Sequence, residues 1–164
     1  MTTAAKHTPT ACDTSTDMSN VATLVEALSG TVAATYRLLL KSQIYHWNVT
    51  GPLFVSVHDL TEEHYTDMFA AVDVLAERLR ALGKPALIQP ADLAAGPKGQ
   101  DADADLSAQA MLEDLALDHE QLSAQMRALV DIAETASDPV TADLATTRAD
   151  FHEKSAWMLR ALAA

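Results

Sequence analysis

Between Asn20 and Ile44 the apolar residues Val21, Leu24, Val25, Leu28, Val32, Tyr36, Leu39 and Ile44 recur at helical spacing, the signature of a helix with one buried face. Asn20 stands where an N-cap belongs, and Gly51-Pro52 closes the segment. Gly30 costs this helix some stability without breaking it. A second stripe, Val57, Leu60, Met68, Val72, Leu75, Leu79 and Leu82, predicts a helix from about Val55 to Leu82, stopped by Gly83 and Pro85. A third opens near Ser107 and carries Met111, Leu112, Leu115, Leu122, Met126, Leu129 and Ile132. Asp138-Pro139 is a start signal, Asp as N-cap and Pro at the first helical position, for a fourth helix from Val140 to about Leu162. The stretch Ala86 to Asp105, with Pro90, Gly96, Pro97 and Gly99, is long for a helix connection. It reads as a crossover with a short helix near Ala91 to Ala95. No segment alternates with the period of a strand. The expectation is an all-α bundle of four long antiparallel helices, residues 20–164, with one long crossover between helices two and three. Residues 1–19, rich in Thr, Ala and Ser, read as a flexible tail.

Composition narrows the chemistry. The 164 residues carry a net charge of −12, and 49% are hydrophobic, which excludes wholesale disorder. The acidic balance argues against binding nucleic acid by phosphate neutralisation and fits a protein that attracts cations. Lys6 is the tail's only basic side chain. A single cysteine, Cys12, excludes an intrachain disulfide framework and a Cys-rich zinc site, and reads as an unused thiol. Neither a secretory signal nor a bilayer-spanning stretch is expected, and the expected compartment is the cytoplasm.

The chemistry-bearing stretch runs from His46 to Glu77. Helix two carries His58 and Glu62, then Asp73 and Glu77, each pair at i, i+4 and so on one face. Fifteen residues separate the pairs, about 22 Å along the axis, with a net rotation of only about 60°. One chain cannot bring both pairs to one metal. A twin helix packed antiparallel across a two-fold axis can, because 58 with 77 and 62 with 73 share a midpoint near Asp67 and Met68. Two equivalent sites per dimer follow, with His46 leaning over the 58/62 end. Two imidazoles and three carboxylates suit iron, with manganese, cobalt or zinc as competitors.

The segment YHWNVTGPLFVSVHDLTEEHYTDMFAAVDVLAERLRALG closely resembles the signature of Dps-type miniferritins, members of the ferritin-like superfamily. The match rests on His46-Trp47-Asn48-Val49, Gly51, Phe54, His58, Tyr65, Asp73 and Ala76-Glu77-Arg78, with their spacing. The ending HEKSAWMLRALAA also resembles this family's last helix, so the likeness covers about Val21 to Ala164. The resemblance implies a ferritin-like four-helix bundle and a homo-dodecameric cage built from two-fold dimers. It implies a di-iron ferroxidase centre with His46, His58 and Glu62 from one subunit and Asp73 and Glu77 from its mate, iron being the cofactor. Many members have Asp where this chain has Glu62. By the same analogy Trp47 sits beside the centre, although a packing aromatic in a helix pair is an equal reading. Glu134, Asp138 and Asp143, near the start of the last helix, are candidates for an iron-entry pore, against the plain reading of helix N-terminal charge.

The larger ferritins use Glu-x-x-His pairs inside one bundle. Here the residues three before His46, His58, His64, His119 and His152 are Gln43, Val55, Thr61, Ala116 and Ala149, so that intra-bundle centre is not expected. His64, about 200° around the helix from Glu62, is expected on the surface. His119 and His152 are expected to be structural or polar-face residues, and His7 a weak surface ligand. The leading expectation is a ferroxidase that oxidises Fe(II), preferably with hydrogen peroxide and otherwise with dioxygen, and stores ferric mineral, so protecting DNA from oxidative damage. The alternative is a nucleoid-binding protein with little ferroxidase activity, which the non-basic tail disfavours. A third is a structural or zinc-binding bundle, but zinc prefers fewer ligands in tetrahedral geometry.

Overall fold

The computed structural model describes residues 20–94, 96 and 101–164. Residues 1–19, with His7 and Cys12, lie outside the described residues. Four long helices and one short one follow in order: α1 (Val21–Asn48), α2 (Phe54–Ala81), α3 (Pro90–Ala94), α4 (Ala108–Thr135) and α5 (Pro139–Ala163). No strand occurs among the described residues. The architecture is the ferritin-like bundle, with α3 in the long connection between α2 and α4.

The helices pack as two hairpins. α2 lies chiefly on α1 and α4 chiefly on α5, and α1 against α4 joins the halves. The core is the set of stripes read from the sequence: Leu24, Leu28 and Val32 from α1, Met68, Leu75 and Leu79 from α2, Met111, Leu115 and Met126 from α4, and Leu159 from α5 are all buried. No helix among the described residues is long and apolar enough to cross a membrane.

The helix starts follow local chemistry. The Ser107 hydroxyl accepts from the Ala110 amide at 3.2 Å and caps α4. Asp138 caps α5, accepting from the Thr141 amide at 3.1 Å, with Pro139 in the first turn. Asn20 does not cap α1. Its side-chain amide donates instead to the Thr135 carbonyl at 3.2 Å, tying the start of α1 to the end of α4. A free carbonyl in the last turn of α4 is one of the helix-terminal acceptors that must find a donor.

Two buried ionic networks fix how the helices sit. On α1 the Lys41 ammonium lies 2.6 Å from Asp114 and 2.7 Å from Asp118 of α4, and the Tyr45 hydroxyl donates to Asp114 at 2.5 Å. Burial, then the Asp114 bond, raises the Tyr45 phenol well above its ordinary value. At the other end, Arg78 of α2 reaches Asp138 at 2.7 Å and Thr141 at 3.0 Å. Burial alone would raise the Asp138 carboxyl. The hydrogen bonds from Arg78 and Thr141 outweigh it and hold the group below its ordinary value.

Candidate metal centre

The α1–α2 hairpin turns about Pro52, six residues from both His46 and His58. Gly51 takes φ +91°, a conformation that side-chain-bearing residues rarely adopt, and the Phe54 amide closes the turn on the Gly51 carbonyl at 3.0 Å. The reversal brings the last turn of α1 against the first turns of α2. The His46 and His58 rings stack with centroids 3.7 Å apart and planes 15° apart.

Each ring holds the other's backbone. His46 Nδ1 lies 2.8 Å from the His58 carbonyl, and His58 Nδ1 lies 3.0 Å from the His46 carbonyl. A carbonyl only accepts, so each Nδ1 carries the proton and each Nε2 keeps its lone pair. Orienting an imidazole through its far nitrogen is the usual way to prepare it as a ligand. Glu62, one turn beyond His58, completes a set whose candidate ligand atoms all lie within 4.8 Å of one another. His46 is buried, His58 half-buried and Glu62 exposed, so the set opens outward.

Asp73 and Glu77 lie on the same helix, well along the axis from this trio; within one chain they do not join it. Trp47 is 63% exposed and is packed into no helix pair within the chain. Two neighbours carry no role in the sequence reading. Tyr65 stands edge-on to His46 at 5.3 Å, and its phenol is raised by burial first and then by the charge of Glu62. Phe54 stacks on the His58 ring at 5.0 Å. Phe54 falls four residues before His58 and Tyr65 three after Glu62, and that helical spacing is the signal that marks them.

Of the three acidic residues at the α4–α5 junction, Glu134 and Asp143 are exposed. Asp138 is only 2% exposed and its carboxylate is engaged by Arg78 and Thr141, so within the chain it serves the helix cap.

The expectation for His64 is overturned. It is buried, with His119 of α4 and His152 of α5, between the two hairpins. The physical reason lies in its angle: about 200° from an exposed Glu62 is the inward face. His64 also fills the gap between Leu60 and Met68 in the apolar stripe of α2, as His119 follows Leu115 by four on α4. Burial first holds His64 down to about 4 and His152 down to about 3, and burial with the neighbouring His152 holds His119 well below its ordinary value.

Comparison with known proteins agrees with this architecture. A family model described as the ferritin-like domain matches residues 25–164. The chain is 39% identical over 139 residues to a low temperature-induced protein of Nostoc sp., a match covering 84% of this chain and 78% of that one. It is 35% identical over 141 residues to DNA protection during starvation protein 1 of Deinococcus radiodurans, covering 85% of this chain and 68% of that one. The X-ray structure of Dps from Thermosynechococcus elongatus superposes with a TM-score of 0.84 at 30% identity, covering 90% of this chain and 94% of the other.

Proposed function

The chain belongs to the ferritin-like family as a Dps-type miniferritin, and from that premise we propose that it oxidises Fe(II) at sites shared between two copies and stores the ferric product. The observation that carries the proposal is the reciprocal His46–His58 clamp beside Glu62, which leaves two imidazole lone pairs uncommitted in a set whose candidate ligand atoms lie within 4.8 Å of one another. The other half of each site is supplied by Asp73 and Glu77 of a second copy across a two-fold axis. The face of α2 that carries Glu62 supports this. Val55 and Phe69 lie seven residues either side of Glu62, on the same face, and are 64% and 65% exposed. Large apolar groups in that position suit a partner helix.

Fe(II) is the substrate. The carboxylates of Glu62, Asp73 and Glu77 neutralise its charge and hold the ferric product too, because hard oxygen donors suit both oxidation states. His46 and His58 fix the geometry through Nε2, each oriented by the carbonyl its Nδ1–H meets. Two ferrous ions give one electron each to hydrogen peroxide. Its O–O bond breaks, both oxygens pass into ferric oxyhydroxide with further oxygen from water, and protons are released. Removing Fe(II) and peroxide together denies DNA the pair that generates hydroxyl radicals.

We further infer a homo-dodecamer whose acidic pores, lined by Glu134 and Asp143, admit Fe(II). A net charge of −12 and a single lysine in residues 1–19 argue against direct DNA binding, so protection acts through iron. The test is anaerobic Fe(II) loading followed by a stoichiometric peroxide pulse, with ferric absorbance and particle mass recorded together. Rapid oxidation to a soluble ferric product in a large particle supports the proposal. Iron that oxidises no faster than in buffer, or precipitates beside a dimer, overturns it.

A further inference from the structure

The three candidate ligands of one chain are not held alike. His46 and His58 are each oriented by a backbone carbonyl at Nδ1. Glu62 stands exposed on α2. A glutamate on a helix surface has several rotatable torsions, and ordering them around an ion costs conformational entropy.

Tyr65 is placed to meet both the α1 and the α2 members of the trio. It follows Glu62 by three residues, so the two are neighbours on one face of α2. Its ring meets the His46 ring of α1 edge-on, with centroids 5.3 Å apart and planes 85° apart. The side chain is half-buried and packs against the hydrophobic core. Burial first, then the charge of Glu62 and a hydrogen bond with it, raise the phenol above its ordinary value. A phenol holds its proton at neutral pH, so in that bond Tyr65 donates and the carboxylate accepts.

We propose, resting on the reading of this site as an Fe(II)-oxidising centre, that Tyr65 is its positioning residue, holding one Glu62 oxygen so that the carboxylate meets the ion already ordered beside His46. A carboxylate has two oxygens, and one engaged by a phenol leaves the other free for a metal. A hydrogen bond to an ionised acceptor is roughly twice as strong as one between neutral groups. The ring is fixed between the core and His46, so the hydroxyl is placed by α1 as well as by α2. Tyr65 thus does for the carboxylate what the backbone carbonyls do for the two imidazoles. It touches the ligand and not the reacting atoms, so its effect falls on metal binding more than on turnover.

Wild type and Y65F, which keeps the ring and loses the hydroxyl, are compared as assembled particles. In peroxide-driven oxidation, Y65F should raise the KM for Fe(II) about tenfold and leave kcat within about twofold. Co(II), titrated alone without oxygen and followed by its visible absorption, should bind Y65F about tenfold more weakly and with an altered spectrum. In an E62A background, Y65F should change Co(II) affinity no further, because the hydroxyl acts through Glu62. Co(II) affinity and KM unchanged by Y65F overturn the role, as does a loss confined to kcat. An equal loss in the E62A background also overturns it, assigning Tyr65 to packing against His46. The Co(II) titration needs no turnover. A wild type that binds Co(II) but oxidises Fe(II) no faster than buffer would defeat the proposed function, while Tyr65 would still be decided by Co(II) affinity.

Discussion

Two groups of histidines meet on α2, six residues apart at His58 and His64, and follow opposite rules. At the end of the α1–α2 hairpin, His46 and His58 each spend Nδ1 on a backbone carbonyl and keep Nε2 for another partner. Between the hairpins, His64, His119 and His152 face one another with three nitrogens unpaired. The first group is prepared by the backbone for a ligand that arrives from solvent. The second is enclosed, and burial keeps its imidazoles neutral far below the ordinary histidine range. What an imidazole can do is decided by where its second nitrogen goes, more than by its position in a motif.

The largest effect should separate the two groups by activity. H58A, or D73N on the proposed partner half, should slow peroxide-driven Fe(II) oxidation about a hundredfold, with the particle intact by light scattering. An unchanged rate in both variants would move the chemistry away from the hairpin.

The core group should announce itself through acid stability. The folded pKa values of His64 and His152 lie below the ordinary 6.5. The unfolded chain therefore binds more protons, and stability present above pH 6.5 is lost as pH falls toward 4 and 3. Denaturant titrations should show a fall of a few kcal/mol, on the order of 1.4 kcal/mol per group for each pH unit crossed. H152Q should flatten that slope, and a slope unmoved by it would mean His152 titrates normally.

A buried charge that is fully paired provides the control for the orphaned nitrogens. D138A strands Arg78 and uncaps α5, so it should cost about 3 kcal/mol in chemical denaturation. A loss under about 1 kcal/mol would show that the network counts for little. The smallest effect is G30A. A methyl at Gly30 meets nothing within 4 Å, so the exposed helix should gain about 0.8–1 kcal/mol. A loss in the assembled particle would place that face against a neighbouring copy.

The bundle is legible in the sequence because apolar period, Ser107 and Asp138-Pro139 all point to the same helix boundaries. Asn20 misleads because a cap residue is recognised by type, whereas its partner, the Thr135 carbonyl, is distant in sequence. His46, His58 and Glu62 are legible as neighbours, since a turn centred on Pro52 fixes their register. His64 is not, because its polar type conceals its place in the stripe of Leu60 and Met68. Its partners come from α4 and α5, and no local spacing records that meeting.

The mutual grip of His46 and His58 has a thermodynamic corollary. Removing either ring frees a carbonyl on one helix and unmoors the remaining imidazole on the other, so the two side chains form one coupled unit. In a double-mutant cycle, the second substitution should then cost little beyond the first, with a coupling energy of about 1–3 kcal/mol.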